Sequence, residues 1–167
     1  MAEKFDIVVL GGGSAGYAVA LRAIQLGKTA AIVEKDKLGG TCLHRGCIPT
    51  KAMLHSSEVA DVVRDAGHAG VQAELKGVDI EAVKGFREEI VAKKFKGLQG
   101  LIKAKGVPVF EGTGRLTSPT TVQVGDTTLE ATNVVLATGS FSKTLPGLAI
   151  EGRVITSEQA LQLDWIP

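Results

Sequence analysis

The sequence predicts an α/β fold, in which a Rossmann-like parallel sheet with helices holds a small inserted antiparallel β-meander. In the first third of the chain, short apolar runs alternate with helical patterns, as in strand–helix–strand units. After residue 107 the pattern changes to short alternating runs separated by turn residues, which is typical of antiparallel strands. The 21 glycines cluster at the ends of these runs and indicate tight turns.

Length and composition favour a single domain, expected to comprise residues 1–167. Of the 167 residues, 44% are apolar, which suffices for a buried core. The net charge of +1 favours neither nucleic acid nor a membrane surface as a partner, so we expect a small molecule instead. No apolar run is long enough to span a membrane, and the start of the chain lacks a signal-peptide pattern. These features predict a cytoplasmic protein.

A strand, a glycine-rich turn and a helix are predicted at the start of the chain. The strand is expected over 5–10, the helix over 14–26 and a second strand over 29–33. The turn contains Gly11-x-Gly13-x-x-Gly16, and Glu34 follows the second strand. In dinucleotide-binding units the three glycines allow the sharp turn, the approach of a pyrophosphate and close helix packing, while the acid binds a ribose. The pattern therefore predicts a dinucleotide site, although it does not separate FAD from NAD.

The rest of the chain is predicted to form two helices, the meander and a returning strand. The helices are expected over 50–64 and 79–105, the second with Phe86 and Leu101 in its apolar set. The alternating runs of the meander are 107–111, 114–116, 121–124 and 127–129. An apolar run over 133–137 predicts a strand that rejoins the buried sheet. A last strand is expected over 153–155, with Ser157 as the cap of a short helix ending at Leu163.

Four interpretations are open for the two cysteines, Cys42 and Cys47. Buried structural thiols are poorly placed in a glycine-rich turn, and zinc would need more ligands than the cysteines and His44 provide. A stabilising disulfide is disfavoured in a reducing compartment. The remaining interpretation is a pair that cycles between dithiol and disulfide. It is favoured because Cys47 lies at an expected helix start, with Lys51 one turn later, and both features stabilise a thiolate.

Together these motifs resemble the FAD-binding region of the pyridine nucleotide-disulfide oxidoreductases. The resemblance rests on the glycine turn, on Glu34, on the cysteine segment Gly39–Lys51 and on Ala137–Ser140, and it covers nearly the whole chain. Within the family it is closest to the enzymes that oxidise dihydrolipoamide. His44, Arg45 and Thr50 depart from residues often found in the family's cysteine segment, but the cysteine pair is intact.

The resemblance implies roles for individual residues. Cys42 would exchange with a dithiol substrate, and Cys47 would face the flavin of a bound FAD as a thiolate. Glu34 would bind the adenosine ribose, and Lys51 would lie beside the flavin ring. The other residues implied in binding FAD are mostly small: Gly11, Gly13, Ser14, Ala15, Gly16, Lys35, Gly40, Thr41, Gly114, Ala137, Thr138, Gly139 and Ser140. No metal ligand is predicted.

The resemblance also implies an activity, in which electrons from a lipoamide-bearing protein or small dithiol pass through the disulfide and FAD to NAD as co-substrate. Such enzymes are homodimers and can serve a 2-oxo acid dehydrogenase complex. Their NAD-binding and interface domains are absent from this sequence, so we expect a truncated fragment that is inactive in NAD-linked turnover. The alternatives are a related NADPH-dependent disulfide or metal-ion reductase and a catalytically silent flavin-binding module.

Overall fold

The computed structural model describes residues 2–166, which form six strands, five α-helices and one short 3₁₀ turn. The strands are β1 (Glu3–Leu10), β2 (Ala30–Glu34), β3 (Val109–Glu111), β4 (Gly114–Ser118), β5 (Thr121–Val124) and β6 (Thr127–Leu136). The helices are α1 (Ser14–Gln25), α2 (Gly40–Arg45), α3 (Cys47–Asp65), α4 (Ile80–Ala104) and α5 (Ser157–Ala160), and the 3₁₀ turn is Ala66–Ala69. Among the described residues, no helix is both long and apolar enough to cross a membrane.

All six strands belong to one mixed sheet in the order β3-β2-β1-β6-β5-β4. Strands β3, β2, β1 and β6 are parallel neighbours, whereas β6, β5 and β4 are joined antiparallel. The predicted fold class, a Rossmann-like parallel sheet with an antiparallel meander, is confirmed. Because four strands run parallel, their carboxyl ends meet at one edge, where open α/β sheets bind ligands.

The sheet is buried on both faces, as expected where a strand such as β2 is a continuous apolar run. One core cluster lies between the sheet and its helices and contains Val9, Ala20, Ala23, Ala30, Ile32, Leu38, Ile102 and Val107. The other cluster contains Val8, Ala31, Val33, Val122, Val124, Leu129 and Ala131, and so packs the meander against β1 and β2. Strands β1 and β2 are therefore held from both sides.

The chain divides into two compact units. The first consists of the residues up to Leu43 together with Lys94–Phe141, and it contains the whole sheet and α1. The second consists of His44–Lys93 together with the residues from Ser142 onward, and it contains α3 and α5.

Two strand predictions are wrong in their pairing. The segment 107–111 was expected in the meander, but β3 pairs in parallel with β2 at the opposite edge of the sheet. The segments 127–129 and 133–137 were expected as two strands, but β6 is continuous from Thr127 to Leu136. Its first residues pair with β5, while nearly its whole length pairs with β1. The short polar stretch between the two apolar runs does not interrupt a strand that has neighbours on both sides.

Three predictions in the second half of the chain also need correction. Residues 153–155 form no strand, and the cap of α5 is Thr156 rather than Ser157. On α4, Phe86 and Leu101 are substantially exposed, whereas Arg87 is buried. Phe86 and Leu101 are therefore not among the buried positions of α4, which include Arg87 and Ile102.

Candidate functional site

The turn after β1 can accommodate only glycine at Gly11. Its φ angle is +108°, and a Cβ there would lie 2.1 Å from the carbonyl oxygen of Ala137. The Gly11 N–H donates to the Val33 carbonyl at 2.8 Å, and the Ala137 N–H donates to the Leu10 carbonyl at 2.8 Å. The ends of β1, β2 and β6 are therefore joined at this point by backbone contacts that a side chain would disrupt.

Helix α1 starts directly from this turn. A Cβ at Gly16 would lie 1.8 Å from the Gly11 carbonyl oxygen, so the first turn of the helix lies against the glycine turn itself. The N-cap residue, Gly13, has no side chain to accept from the helix, and the first turn contains no acidic residue. The N–H groups of Ser14, Ala15 and Gly16 precede the first intrahelical bond, which Tyr17 makes to Gly13. Such a helix start favours an anionic group.

The carboxylate of Glu34 lies beside the turn and is fixed by two backbone donors. The Gly12 N–H donates to one oxygen at 2.6 Å, and the Asp36 N–H donates to the other at 2.8 Å. Each oxygen can accept a further hydrogen bond, which leaves capacity for a ligand hydroxyl. Glu34 also lines an open cavity of about 680 Å³, together with Asp36 and Lys37. The neighbouring Lys35 is exposed.

The segment before Cys42 is built onto the same turn. The Gly39 N–H donates to the Gly12 carbonyl at 2.8 Å. Gly40 has a φ of +55°, and a Cβ there would lie 2.8 Å from the Cα of Gly13. Helix α2 begins at Gly40 and exposes Thr41 in its first turn. The start of the cysteine segment is thus in backbone contact with the glycine turn.

The residues after β6 complete this edge of the sheet. Thr138, Gly139 and Ser140 are exposed and lie outside regular secondary structure, and Gly139 has a φ of +80°. Gly114 has a packing role, since a Cβ there would lie 2.3 Å from the Leu10 side chain and 2.8 Å from that of Val33. A contact of Gly114 with a cofactor stays a prediction.

The structure brings most of the predicted binding residues to one edge of the first unit. The glycine turn, Glu34, the Gly39–Gly40 backbone and Ala137 are directly connected there by the contacts above. Cys47 and Lys51 belong to the second unit. From the sequence, Gly12 was assigned no role, and Gly39 was placed in the cysteine segment without a role in the turn. The run of three glycines at 11–13 was the available signal, because a middle glycine is needed only where another group packs closely on it.

A disulfide joins Cys42 and Cys47. Cys42 lies half-buried in α2, and Cys47 is exposed as the first residue of α3. The N-cap of α3 is Gly46, so no side chain occupies the helix start on which Cys47 lies. The Thr50 hydroxyl donates to the Gly46 carbonyl at 2.6 Å, so the first turn of α3 is joined to the residue that precedes Cys47.

Lys51 is placed to influence Cys47. It lies four residues later on α3, where the side chains of a helix share one face, and it is exposed. A cation and a helix start both favour a thiolate over a thiol. The arrangement can therefore stabilise the anion that forms when the disulfide opens.

A family model matches residues 5–167 of the sequence, and its description is pyridine nucleotide-disulphide oxidoreductase. The chain belongs to this family. The predicted resemblance to the pyridine nucleotide-disulphide oxidoreductases is confirmed over nearly the full sequence.

Individual relatives within the family are similar in sequence but longer. The chain is 41% identical over 181 residues to dihydrolipoyl dehydrogenase of Bacillus subtilis, matching 100% of this chain and 38% of that protein. It is 37% identical to mitochondrial dihydrolipoyl dehydrogenase of Pisum sativum and 38% identical to leghemoglobin reductase of Vigna unguiculata. Those two matches cover 99% of this chain but 34% and 33% of the relatives. The chain thus spans about a third of the length of the curated relatives it matches.

Proposed function

We propose that residues 1–167 are the FAD-binding domain of a dihydrolipoyl dehydrogenase, whose NAD-binding and interface domains lie in further sequence. The observation that supports this most is the Cys42–Cys47 disulfide at an uncapped helix start, in a chain that also has the glycine turn. Either feature alone also occurs in proteins of different function, but a redox disulfide next in sequence to a dinucleotide unit implies electron transfer between sulfur and cofactor.

The residues at the sheet edge fit the phosphates and ribose of FAD. The N–H groups at the start of α1, which no side chain caps, suit a pyrophosphate, and the glycines leave space for its close approach. The fixed carboxylate of Glu34 suits a ribose hydroxyl. We assign the predicted residues Gly11, Gly13, Lys35, Gly40, Thr41, Lys51, Gly114 and Ala137–Ser140 to the same cofactor.

The disulfide reacts by exchange with a dithiol. A thiolate of dihydrolipoamide attacks the sulfur of Cys42, which forms a mixed disulfide and releases Cys47 as a thiolate. The second thiol of the substrate then attacks the substrate sulfur that is bonded to Cys42. This closes the disulfide of oxidised lipoamide and releases Cys42 as a thiolate. Two electrons enter the cysteine pair, and the two substrate protons pass to bases or solvent. The start of α3 and Lys51 stabilise Cys47 as the anion. When bound, FAD supplies a two-electron acceptor that is reoxidised by NAD.

The experiment follows FAD binding and thiol release in the purified chain. We expect saturable FAD binding, two titratable thiols after addition of dihydrolipoamide, and a new long-wavelength flavin absorbance that Cys47→Ser abolishes. Cys42→Ser should instead leave the Cys47 thiol in place and block exchange with the substrate. FAD binding without any response of the thiols would contradict the redox function and favour a silent flavin-binding module. We expect no NADH formation by this chain alone, and lipoamide-dependent NADH formation would contradict the proposed domain division.

A second candidate is a related NADPH-dependent disulfide or metal-ion reductase. The match to a leghemoglobin reductase at 38% identity, close to the 37–41% of the dehydrogenases, supports a reductase, and its use of NADPH stays a prediction. Assays of the longer parent protein with NAD or NADPH, and with lipoamide or oxidised haem protein, would separate the two candidates. If the longer parent protein is a dihydrolipoyl dehydrogenase, we expect it to be a cytoplasmic homodimer that serves a 2-oxo acid dehydrogenase complex.

A further inference from the structure

The loop between the two cysteines contains an arginine that is paired with the end of the chain. Arg45 is the last residue of α2 and lies between Cys42 and Cys47 in sequence. Its Nε atom lies 3.6 Å from a carboxylate oxygen of Glu158 on α5, and both residues belong to the second unit. The two side chains are 39% and 56% exposed, so solvent screens this ion pair and its effect on neighbouring groups is modest.

Helix α5 is held in place by contacts other than this ion pair. Thr156 and Gln159 form a capping box, with bonds of 2.7 Å and 3.1 Å between side chain and backbone. The buried guanidinium of Arg87 donates to the Leu161 carbonyl and, at 3.0 Å, to Glu88. The short helix that carries Glu158 is therefore held at its start by the capping box and just after its end by Arg87. Neutralising its charge should leave that helix in place.

We propose that Glu158 is a positioning residue that sets the redox balance of the cysteine pair through Arg45. A cation in the cysteine loop stabilises thiolates and therefore the reduced, open form of the pair. A carboxylate paired with that cation offsets part of its effect. Glu158 thereby favours the closed disulfide. Because Glu158 lies on α5, this part of the chain affects the equilibrium between the dithiol and the disulfide.

Two other cationic residues lie close in sequence to the cysteines. His44 precedes Arg45 in α2, and Lys51 lies on α3. A positive charge on either residue acts in the same sense as that of Arg45, and the ion pair of Glu158 is with Arg45. A His44→Gln background removes the one imidazole of the loop, so the thiolate titration reports the cysteines alone.

The experiment compares Glu158→Gln and Arg45→Gln in the full chain, reduced without flavin. The readouts are thiolate absorbance against pH and the equilibrium with glutathione, in which the disulfide and two glutathione thiols give the dithiol and one glutathione disulfide. We expect Glu158→Gln to raise the thiolate fraction at a fixed pH below the thiol pKa by about two- to fivefold, and to shift the equilibrium toward the dithiol. We expect Arg45→Gln to change both readouts in the opposite direction. Glu151→Gln, an exposed glutamate of the same segment, is the matched control and should change neither.

The direction of the two effects separates an electrostatic role from a structural one. Both substitutions break the same ion pair, so a purely structural role predicts the same change in both variants and would overturn the proposal. In the Arg45→Gln background, Glu158→Gln should have little further effect, because Glu158 acts through Arg45. The proposal would also be overturned if Glu158→Gln had its full effect in the Arg45→Gln background, or if Glu158→Gln and the control Glu151→Gln gave the same thiolate fraction and equilibrium. The inference deepens the proposed function, but its readouts need neither FAD nor turnover, so the two can fail separately.

Discussion

Gly16 is the residue whose substitution most directly tests the glycine turn. A Cβ there would lie 1.8 Å from the Gly11 carbonyl oxygen, which is backbone and cannot rotate away. We expect Gly16→Ala to force α1 away from the turn and to lower the free energy of unfolding by about 1–3 kcal/mol. Denaturant unfolding followed by circular dichroism measures this change.

Gly97 is the matched control for Gly16. It also lies inside a helix, α4, but it is exposed, and a Cβ there would have no atom within 4 Å. Gly97→Ala should therefore stabilise the protein, by about 0.5–1 kcal/mol, because alanine loses less backbone freedom in a helix. Equal destabilisation by both substitutions would show that the contact with Gly11 is not what requires glycine at Gly16.

Asp6 gives the first unit a predictable response to acid. Its carboxylate accepts from the backbone N–H of Thr29 at 2.7 Å and from the Thr29 hydroxyl at 2.9 Å, which ties the start of β1 to the residue before β2. These bonds, helped by Lys28, hold the pKa of Asp6 below its ordinary value. A lowered carboxyl pKa stabilises the fold fully above about pH 4, and this stabilisation is lost as the pH falls through the folded-state pKa.

Asp6→Asn should consequently lower the melting temperature at neutral pH and have progressively less effect below about pH 4. Melting curves of the parent and variant across this range measure the difference. Asp126→Asn, in the exposed turn before β6, removes a carboxylate without these bonds and is the control. If the melting temperatures of the parent and Asp6→Asn differed by the same amount down to low pH, the lowered pKa of Asp6 would not contribute to stability.

At the scale of elements, Arg87 joins α4 to the residues after α5. Its side chain is 4% exposed, and it donates to the carbonyl of Leu161. Arg87→Met keeps much of the buried volume but leaves that carbonyl without its charged donor, which costs about 1–3 kcal/mol. We expect the amides of Ala160 and Leu161, which bond to Thr156 and Ser157, to exchange about 5- to 100-fold faster.

The control for this prediction is Arg64→Met on α3. Arg64 is 58% exposed and pairs with Asp61 at 2.7 Å within the same helix, so its loss should leave the exchange of Ala160 and Leu161 unchanged. If the two variants gave the same exchange rates, the burial of Arg87 would have no part in anchoring α5.

Elements determined by local sequence were predictable, and those determined by distant pairing were not. The glycine turn, α1 and β2 follow from a motif contained within a few dozen residues. The parallel position of β3 depends on β2, which is far away in sequence, and its own residues do not specify a partner. Thr156 could have been found, since Thr-x-x-Gln at 156–159 fits a capping box.

In the candidate site, too, the features set by local sequence were predictable and those set by distant contacts were not. The cysteine pair and the glycine positions are visible as residue types at fixed spacing. The bonds that fix Glu34, from Gly12 and Asp36, depend on how the strand ends are brought together. The burial of Arg87 contradicts the general rule that charged residues on a helix are solvated. The pairing of Arg45 with Glu158 joins two exposed residues that are far apart in sequence, so only the folded chain reveals it.

At the scale of the whole molecule, the proposed cofactor should stabilise the chain by linkage. If FAD binds only the folded state, a free concentration of 100 times the dissociation constant adds about 2.7 kcal/mol to the free energy of unfolding. FMN lacks the adenosine ribose and one of the two phosphates and should stabilise far less, because Glu34 would have no ribose to bind and the start of α1 would meet a single phosphate. Thermal unfolding with each flavin measures this, and equal stabilisation by both would contradict the assignment of the glycine turn to FAD.

The pairing of β1 with β6 determines when the sheet can form during synthesis. Glu3 pairs with Leu129 and Leu10 with Leu136, so the two ends of this contact are separated by well over a hundred residues. Loop closure over such a distance is slow, and β1 has to wait for β6 to leave the ribosome before it gains its second neighbour. Until then one edge of an apolar strand is unpaired. The nascent chain is consequently most prone to aggregation from the translation of α3 until β6 has emerged.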